Sequence, residues 1–324
     1  MTKVLVTGGA GYIGSHTTKE LLKQGFEVVV FDNLSSGNKE FVLGRGLIVG
    51  DLMDKAAVRN VFKSGDIAAV LHFASLIQVG ESYVDPRKYY AQNLISSLNL
   101  LDVMLEAGVK SFIFSSSAAV YGTPRQIPIP EEHPLLPMNP YGQTKFFVEK
   151  ILQDYDRAYG LKFISLRYFN AAGADPDGTL GEMHNPETHL IPNILLTIRG
   201  KKEYLEIYGT DFPTPDGTAI RDYIHVTDLA AAHVLALQRL LASSMSESIN
   251  LGTNKGYSVR EIIAKAEEIT GKKVPTEQKT RREGDVPVLL ASKEKAERLL
   301  GWKLRYSKIE TIIDTAWKWH TKLN

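Results

Sequence analysis

Short runs of β-branched and aromatic residues alternate with helical stretches through the first half of this chain. That alternation restricts the possible architectures more than any other feature. Strands are predicted at Val4–Thr7, Glu27–Phe31, Leu47–Val49, Ala69–Phe73, Ser111–Ser115 and Phe163–Arg167. Helical patterns fall between them, near Ile13–Gln24, Lys55–Lys63, Lys88–Ala107 and Gly142–Tyr159. Nearly continuous apolar strands separated by helices imply a parallel sheet covered on both faces. This pattern defines an architecture and no activity.

The second half is less regular. Gly173–Pro186 and Phe212–Gly217 read as loops, and helical patterns return at Thr227–Leu241, Ser258–Ile269 and Lys293–Leu300. A boundary near residue 172 divides the chain into residues 1–172, the regularly alternating half, and 173–324, the irregular half. Some segments of the second are expected to return to the first. A net charge of +1, with no basic run longer than a doublet such as Lys201-Lys202, argues against nucleic acid or an anionic membrane as the partner. The chain has no cysteine, which excludes disulfides and thiolate chemistry and suits a reducing cytoplasm. The N-terminus enters a strand-like run without a signal-peptide pattern. No apolar stretch approaches the roughly 20 residues that span a bilayer.

Thr7-Gly8-Gly9-Ala10-Gly11-Tyr12-Ile13-Gly14 follows the first strand and opens the first helix. Gly8, Gly11 and Gly14 allow a tight turn, close approach to a pyrophosphate and helix-on-strand packing. Free amides at the helix start then hold the anion. Asp32 ends the second strand, 18 residues after Gly14 (32 − 14), near the spacing for a carboxylate on the adenosine ribose. It would repel a 2′-phosphate, so NAD is favoured over NADP; the bland alternative is a turn residue in Asp32-Asn33. Asp51 could reach adenine or could cap the following helix. The fold class is therefore α/β: a Rossmann-type doubly wound parallel sheet with a smaller α/β C-terminal substrate domain.

Tyr141 and Lys145 are four residues apart, the spacing that puts two side chains on one helix face. One charge about 4 Å from a phenol is worth roughly 4 kcal/mol at an effective dielectric near 20. That corresponds to lowering a pKa by about 3 units, at about 1.4 kcal/mol each. The pair could make a tyrosinate that removes a hydroxyl proton, or could simply be a solvated helix face. Ser117 lies 24 residues upstream (141 − 117), at the end of a strand.

The ordered set then resembles the extended short-chain dehydrogenase/reductase family. It comprises Gly8/Gly11/Gly14, Asp32-Asn33, Gly50-Asp51, His72-Phe73-Ala74, Asn93, Phe114-Ser115-Ser116-Ser117, Val120-Tyr121-Gly122, Tyr141-x3-Lys145 and Arg167-Tyr168-Phe169-Asn170. Gly80-Glu81-Ser82, Arg221-Asp222-Tyr223-Ile224-His225-Val226 and Arg281-Arg282-Glu283-Gly284-Asp285 resemble its branch that inverts C4 of UDP-hexoses. The resemblance spans nearly the whole chain. It implies NAD as cofactor, a UDP-sugar as substrate, and reversible interconversion of UDP-glucose and UDP-galactose through a 4-keto intermediate. Tyr141 would be the general base and acid, Lys145 would bind the nicotinamide ribose, and Ser117 would bond the reacting hydroxyl. Tyr12, Ile13, Asn33, Leu52, Phe73, Ala74, Asn93, Ser115 and Tyr168 would complete the cofactor site with the glycines, Asp32 and Asp51. Asn170, His189, Leu190, Arg221, Arg282 and Asp285 would hold the UDP portion. Arg suits bidentate phosphate contacts, although Arg221 and Arg282 each have a carboxylate nearby and could form surface ion pairs instead.

Two positions depart from the pattern. Some relatives have a Lys where this chain has Ile77, so that cofactor contact is absent or replaced. Leu289 stands where bulk tunes tolerance of a 2-acetamido group, and its size is intermediate. Ala118-Ala119 after Ser117 lack the acid that sugar dehydratases and decarboxylases use. A 4-epimerase of another UDP-sugar, such as an N-acetylhexosamine, uronate or pentose, and a non-catalytic NAD sensor are the other readings. The eight histidines show no HExxH or other compact ligand cluster, so no metal is expected. Lys88–Ala107 and Gly142–Tyr159 resemble the helix pair through which relatives form homodimers. Leu94, Leu98, Leu101, Phe147 and Ile151 either face outward for that purpose or cover the chain's own sheet.

Overall fold

The computed structural model describes residues 1–42, 46–63, 65–282 and 284–323; Glu283 of the basic motif lies outside them. Seven parallel strands form the central sheet: β1 (Lys3–Thr7), β2 (Glu27–Asp32), β3 (Leu47–Val49), β4 (Ile67–His72), β5 (Ser111–Ser115), β6 (Lys162–Arg167) and β7 (Glu247–Asn250). Their order is β7-β6-β5-β4-β1-β2-β3. The strand order reverses between β1 and β4, which opens a crevice at their carboxyl ends where such sheets bind ligands. The sequence expectation of a doubly wound parallel sheet is met, with strand ends shifted by a residue or two.

Apolar residues of β1 and β4 point alternately to two cores. Val4, Val6, Ala69 and Leu71 join Leu21 of helix Tyr12–Lys23 and Leu229 and Leu237 of helix Val226–Ser243 on one face. Leu5 and Val70 join Val58, Leu100, Val148 and Leu152 on the other, beneath helices Lys55–Lys63, Ser96–Glu106 and Pro140–Tyr159. Alternation along each strand therefore builds both cores from the same residues' neighbours.

The predicted helix Lys88–Ala107 is interrupted. Pro86–Tyr89 is α-helical, Tyr90–Ile95 is a π-turn, and Ser96–Glu106 resumes the α-helix. A π-turn rotates the residues after it relative to those before it. Leu101 is fully buried in the sheet-facing core, and Leu94 and Ile151 pack against that core, whereas Phe147 is exposed. Only part of the proposed outer face therefore looks outward.

Beyond β6 a second layer assembles. Ile220–His225 pairs with Asn170–Ala172, Gly256–Ser258 and Val288–Leu289, and Leu205–Tyr208 pairs with Thr276–Lys279. Helices Leu190–Ile198, Val259–Thr270 and Ile309–Lys322 share a third core with these strands. Helix Val226–Ser243 and β7 return to the large sheet. No helix among the described residues is long and apolar enough to cross a membrane.

Candidate active site

Every strand from β1 to β6 delivers residues from its carboxyl end into one cavity of about 1300 Å³. After β1, Gly8, Gly11, Tyr12, Ile13 and Gly14 line it. Gly8 has φ +74°, and a Cβ there would sit 2.4 Å from Ala74 N. A Cβ on Gly14 would sit 2.2 Å from Gly8 O. The helix that follows begins at Gly11 with no side-chain cap, which leaves its first amides free for an anion. This cradle fits the pyrophosphate of NAD.

Asp32 at the end of β2 is buried. Its Oδ2 accepts from Ala10 N at 2.9 Å and its Oδ1 from Leu34 N at 2.8 Å. The turn reading is met, and each oxygen keeps a lone pair with which Asp32 could also accept from a ribose hydroxyl. Asp51 is not the helix cap; Asp54 is, accepting from Ala56 N and Ala57 N. Asp51 accepts from Met53 N and from Asn33 Nδ2, and all of Asn33, Asp51 and Leu52 line the cavity. Phe73 and Ala74 after β4 do so too. Asn93 does not line it. It stands behind the wall and clamps Leu76 through both backbone groups, accepting from N at 2.8 Å and donating to O at 3.0 Å.

The reactive group is set by three adjacent elements. Asn139 caps helix Pro140–Tyr159 by accepting from Gly142 N at 2.7 Å, and Pro140 opens it. Tyr141 therefore sits in the first turn, and Lys145 one turn on. Lys145 Nζ donates to Ser115 O at 2.9 Å and lies 5.8 Å from the Tyr141 ring centre. Ser117 leaves β5, accepts from Ala119 N at 3.1 Å and reaches the Tyr141 hydroxyl. Ser115 Oγ and Tyr168 OH share a bond of 2.5 Å.

The electrostatics correct the expectation that Lys145 depresses the phenol. Burial pushes the Tyr141 phenol up, and the Ser117 bond only partly opposes this. Burial also lowers Lys145 to about 7, with Glu149 pulling it back up. Glu149 lies one turn beyond Lys145 and was missed in the sequence reading, although its spacing is the same. It accepts from Ser116 Oγ at 2.5 Å and is paired with Arg167, both fully inside the protein.

The far wall carries the polar groups assigned to UDP. Asn170, His189, Leu190, Arg221, Arg282, Asp285 and Leu289 all line the cavity. Arg221 Nη2 is 3.6 Å from Asp285 Oδ1, and Arg282 Nε donates to Asp285 Oδ2 at 3.0 Å. The ion-pair reading is thus correct in geometry, yet two guanidinia share one carboxylate and leave one net positive charge facing the cavity. Leu289 and Phe169 both pack against the apolar cluster of Ala118, Val120, Tyr121 and Ile129. Ile77 also lines the cavity. His189 has its Nδ1 2.5 Å from Glu182 Oε1. Contrary to the sequence reading, two of the eight histidines do enter a compact cluster, formed by Glu182, His184, Glu187 and His189.

Residues 4–252 match the NAD dependent epimerase/dehydratase family. The chain belongs to that family. Among curated members, the UDP-glucose 4-epimerase of Lacticaseibacillus casei is 49% identical over 98% of this chain and 96% of its own length. Among solved members, the UDP-glucose 4-epimerase of Brucella ovis in complex with NAD superposes with a TM-score of 0.95 at 48% identity, covering 98% of each chain. The Bifidobacterium longum enzyme, in complex with NAD⁺ and UDP, has a TM-score of 0.95 at 42% identity, covering 99% of this chain and 98% of its own. The match includes the glycine cradle, Asp32 and the Tyr141–Lys145 helix, which all line the one cavity.

Proposed function

We propose that this chain is an NAD-dependent isomerase that inverts C4 of a UDP-hexose, interconverting UDP-glucose and UDP-galactose through a transient 4-keto sugar. The observation that carries this is the position of Tyr141. It lines one cavity with the glycine cradle at Gly8–Gly14 and with Arg221 and Arg282, and Ser117 lies beside its hydroxyl.

NAD⁺, when bound, would supply the hydride acceptor. The residues do the rest. Gly8, Gly11 and Gly14 seat the pyrophosphate; Asp32 and Asn33 meet the adenosine ribose. Lys145 orients the nicotinamide ribose and stays fixed to Ser115 O. Tyr141 takes the proton from the 4-hydroxyl and later returns it, and Ser117 holds that oxygen in line. The C4–H and O–H bonds break and re-form with opposite configuration, so oxidation and reduction cancel within one turnover. Arg221 and Arg282 anchor the diphosphate, Asn170 and Leu190 flank it, and Leu289 with Ala118 and Phe169 gives the hexose an apolar wall. Apolar contact leaves the sugar free to turn while the nucleotide stays bound.

The test is to supply UDP-galactose to purified protein without added cofactor and to follow UDP-glucose. Turnover with stoichiometric bound NAD is expected. Protein that holds NAD yet converts none of it would reject the reading. UDP-N-acetylgalactosamine and UDP-glucuronate in parallel report what Leu289 permits.

We also read the protein as a homodimer. Ile95 is 46% exposed and Phe147 38%, and Tyr90 lies against Phe147 with ring centres 6.4 Å apart. Large apolar residues left outward on paired helices favour a second copy as partner.

A further inference from the structure

Four side chains converge beside the cavity in an arrangement that the proposed chemistry does not require. Glu182, His184, Glu187 and His189 lie in the connection that leads into helix Leu190–Ile198. One ligand-capable atom of each lies within 4.8 Å of all the others. His184 Nδ1 is 3.2 Å from Glu182 Oε1 and 3.7 Å from Glu187 Oε2. His189 Nδ1 is 2.5 Å from Glu182 Oε1 and 3.4 Å from Glu187 Oε1. Nitrogen and oxygen ligands about 2.0–2.2 Å from a tetrahedral Zn²⁺ stand roughly 3.3 Å from one another, so small adjustments would bring these four onto one ion.

Three further observations favour a cation here. The Glu182 and Glu187 side chains are only 4% and 6% exposed, and two buried carboxylates side by side need two compensating positive charges. His184 Nδ1 is fully buried and lies 3.2 Å from Glu182 Oε1, in contact but without the alignment of a good hydrogen bond. A metal bond to its lone pair would satisfy this buried nitrogen better than an unaligned contact does. The outer contacts are already fixed. Glu187 Oε1 accepts from Thr188 N and His189 N at 2.8 Å each, and Trp319 Nε1 donates to Glu182 O at 3.0 Å. Ligands so oriented lose little freedom on binding.

We propose that Glu182, His184, Glu187 and His189 form a binding site for one divalent transition-metal cation of the Zn²⁺ type, through two imidazole nitrogens and two carboxylate oxygens. Imidazole favours zinc and its neighbours over magnesium or calcium, and two carboxylates make the bound site neutral. The ion ties residues 182–189 together at the edge of the glycine cradle, where the His184 ring stands 6.2 Å from that of Tyr12. Its role is to hold the wall that carries His189 and Leu190. The site is independent of which UDP-sugar is turned over.

The competing occupant is a pair of protons, which would turn both imidazoles into donors to the glutamates. Tag-free full-length protein, stripped with chelator and desalted, separates the two. Titration with Zn²⁺ alone followed by gel filtration should leave one zinc per chain by elemental analysis. Co²⁺ alone should give a saturable visible band that Zn²⁺ bleaches. The His184→Ala/His189→Ala variant should lose both signals. Glu187→Gln, the gentler change, should weaken Co²⁺ binding at least tenfold while circular dichroism shows an intact fold. Substoichiometric zinc in the wild type, or unchanged binding in Glu187→Gln, overturns the proposal.

Discussion

Tyr141 works against its surroundings. Burial favours the neutral phenol, and the neighbouring Lys145 is itself weakened to about 7 by the same burial. On the proposed mechanism, Tyr141 would gain base strength from any positive charge brought into the cavity beside it. Tyr141→Phe should keep NAD and lose about 10²–10⁴-fold in turnover, the usual worth of a positioned acid–base; activity within threefold of wild type would remove Tyr141 from its role. Ser117 serves two partners, Ala119 N and the Tyr141 hydroxyl. Ser117→Ala should lower kcat by about 10–100-fold, as expected for roughly 1.5–3 kcal/mol in a bond to a charged oxygen, and Ser117→Thr should recover most of it. Equal loss in both variants would point to packing alone. Residue types and spacings made Tyr141, Lys145 and Ser117 legible. The direction of the phenol's shift was not, because burial is set by how distant segments close over Tyr141 and not by its neighbours in sequence.

Elements were legible where their pattern is local. The glycine loop, helix Tyr12–Lys23 and strands β1 to β6 are written in runs that need no distant partner to be recognised. The π-turn at Tyr90–Ile95 was not, since its residues keep helical composition and only packing reveals the extra residue. Asn170–Ala172, Gly256–Ser258 and Val288–Leu289 were also missed. Each is two or three residues long and is a strand only because Ile220–His225 lies beside it. The metal-type cluster escaped for a related reason: Glu-x-His-x2-Glu-x-His is no helical spacing, and a loop's path decides whether its side chains meet. The glycine loop supports a sharp prediction at this scale. A Cβ at Gly14 would strike Gly8 O at 2.2 Å, backbone against backbone, so nothing soft can yield. Gly14→Ala should purify with less than a tenth of the wild-type NAD while keeping its circular dichroism spectrum. Full NAD content would show that the loop has room the geometry denies.

At the scale of the whole molecule, two properties follow from how the layers close. Ile95 and Phe147 remain exposed while Leu101 turns inward, so a second copy, on the homodimer reading, would cover a narrow apolar strip rather than two full helices. Phe147→Glu with Ile95→Glu should convert a dimer to monomer in light scattering at micromolar concentration, and a wild type already monomeric there would dispose of the homodimer.

The second property is acid sensitivity. His16, His72, His225 and His233 are each no more than 4% exposed. Burial holds their imidazoles neutral, down to about 4, 3, 3 and 4 respectively. Their folded pKa values lie below the unfolded value of about 6.5, so the unfolded chain takes up protons first as pH falls. Stability from these groups is complete above about pH 6.5 and is lost progressively toward pH 4, at up to about 1.4 kcal/mol per pH unit for each. His233 connects this to function: its ring packs 4.7 Å from Phe73 and 5.9 Å from Tyr168, both in the cavity wall. Acidification should therefore lower the melting temperature steadily from pH 6.5 to 4.5 and release NAD over the same interval. A melting temperature flat across that interval would mean that these histidines are not buried neutral. NAD retained until global unfolding would show that the cavity wall gives way only with the whole fold, not with His233.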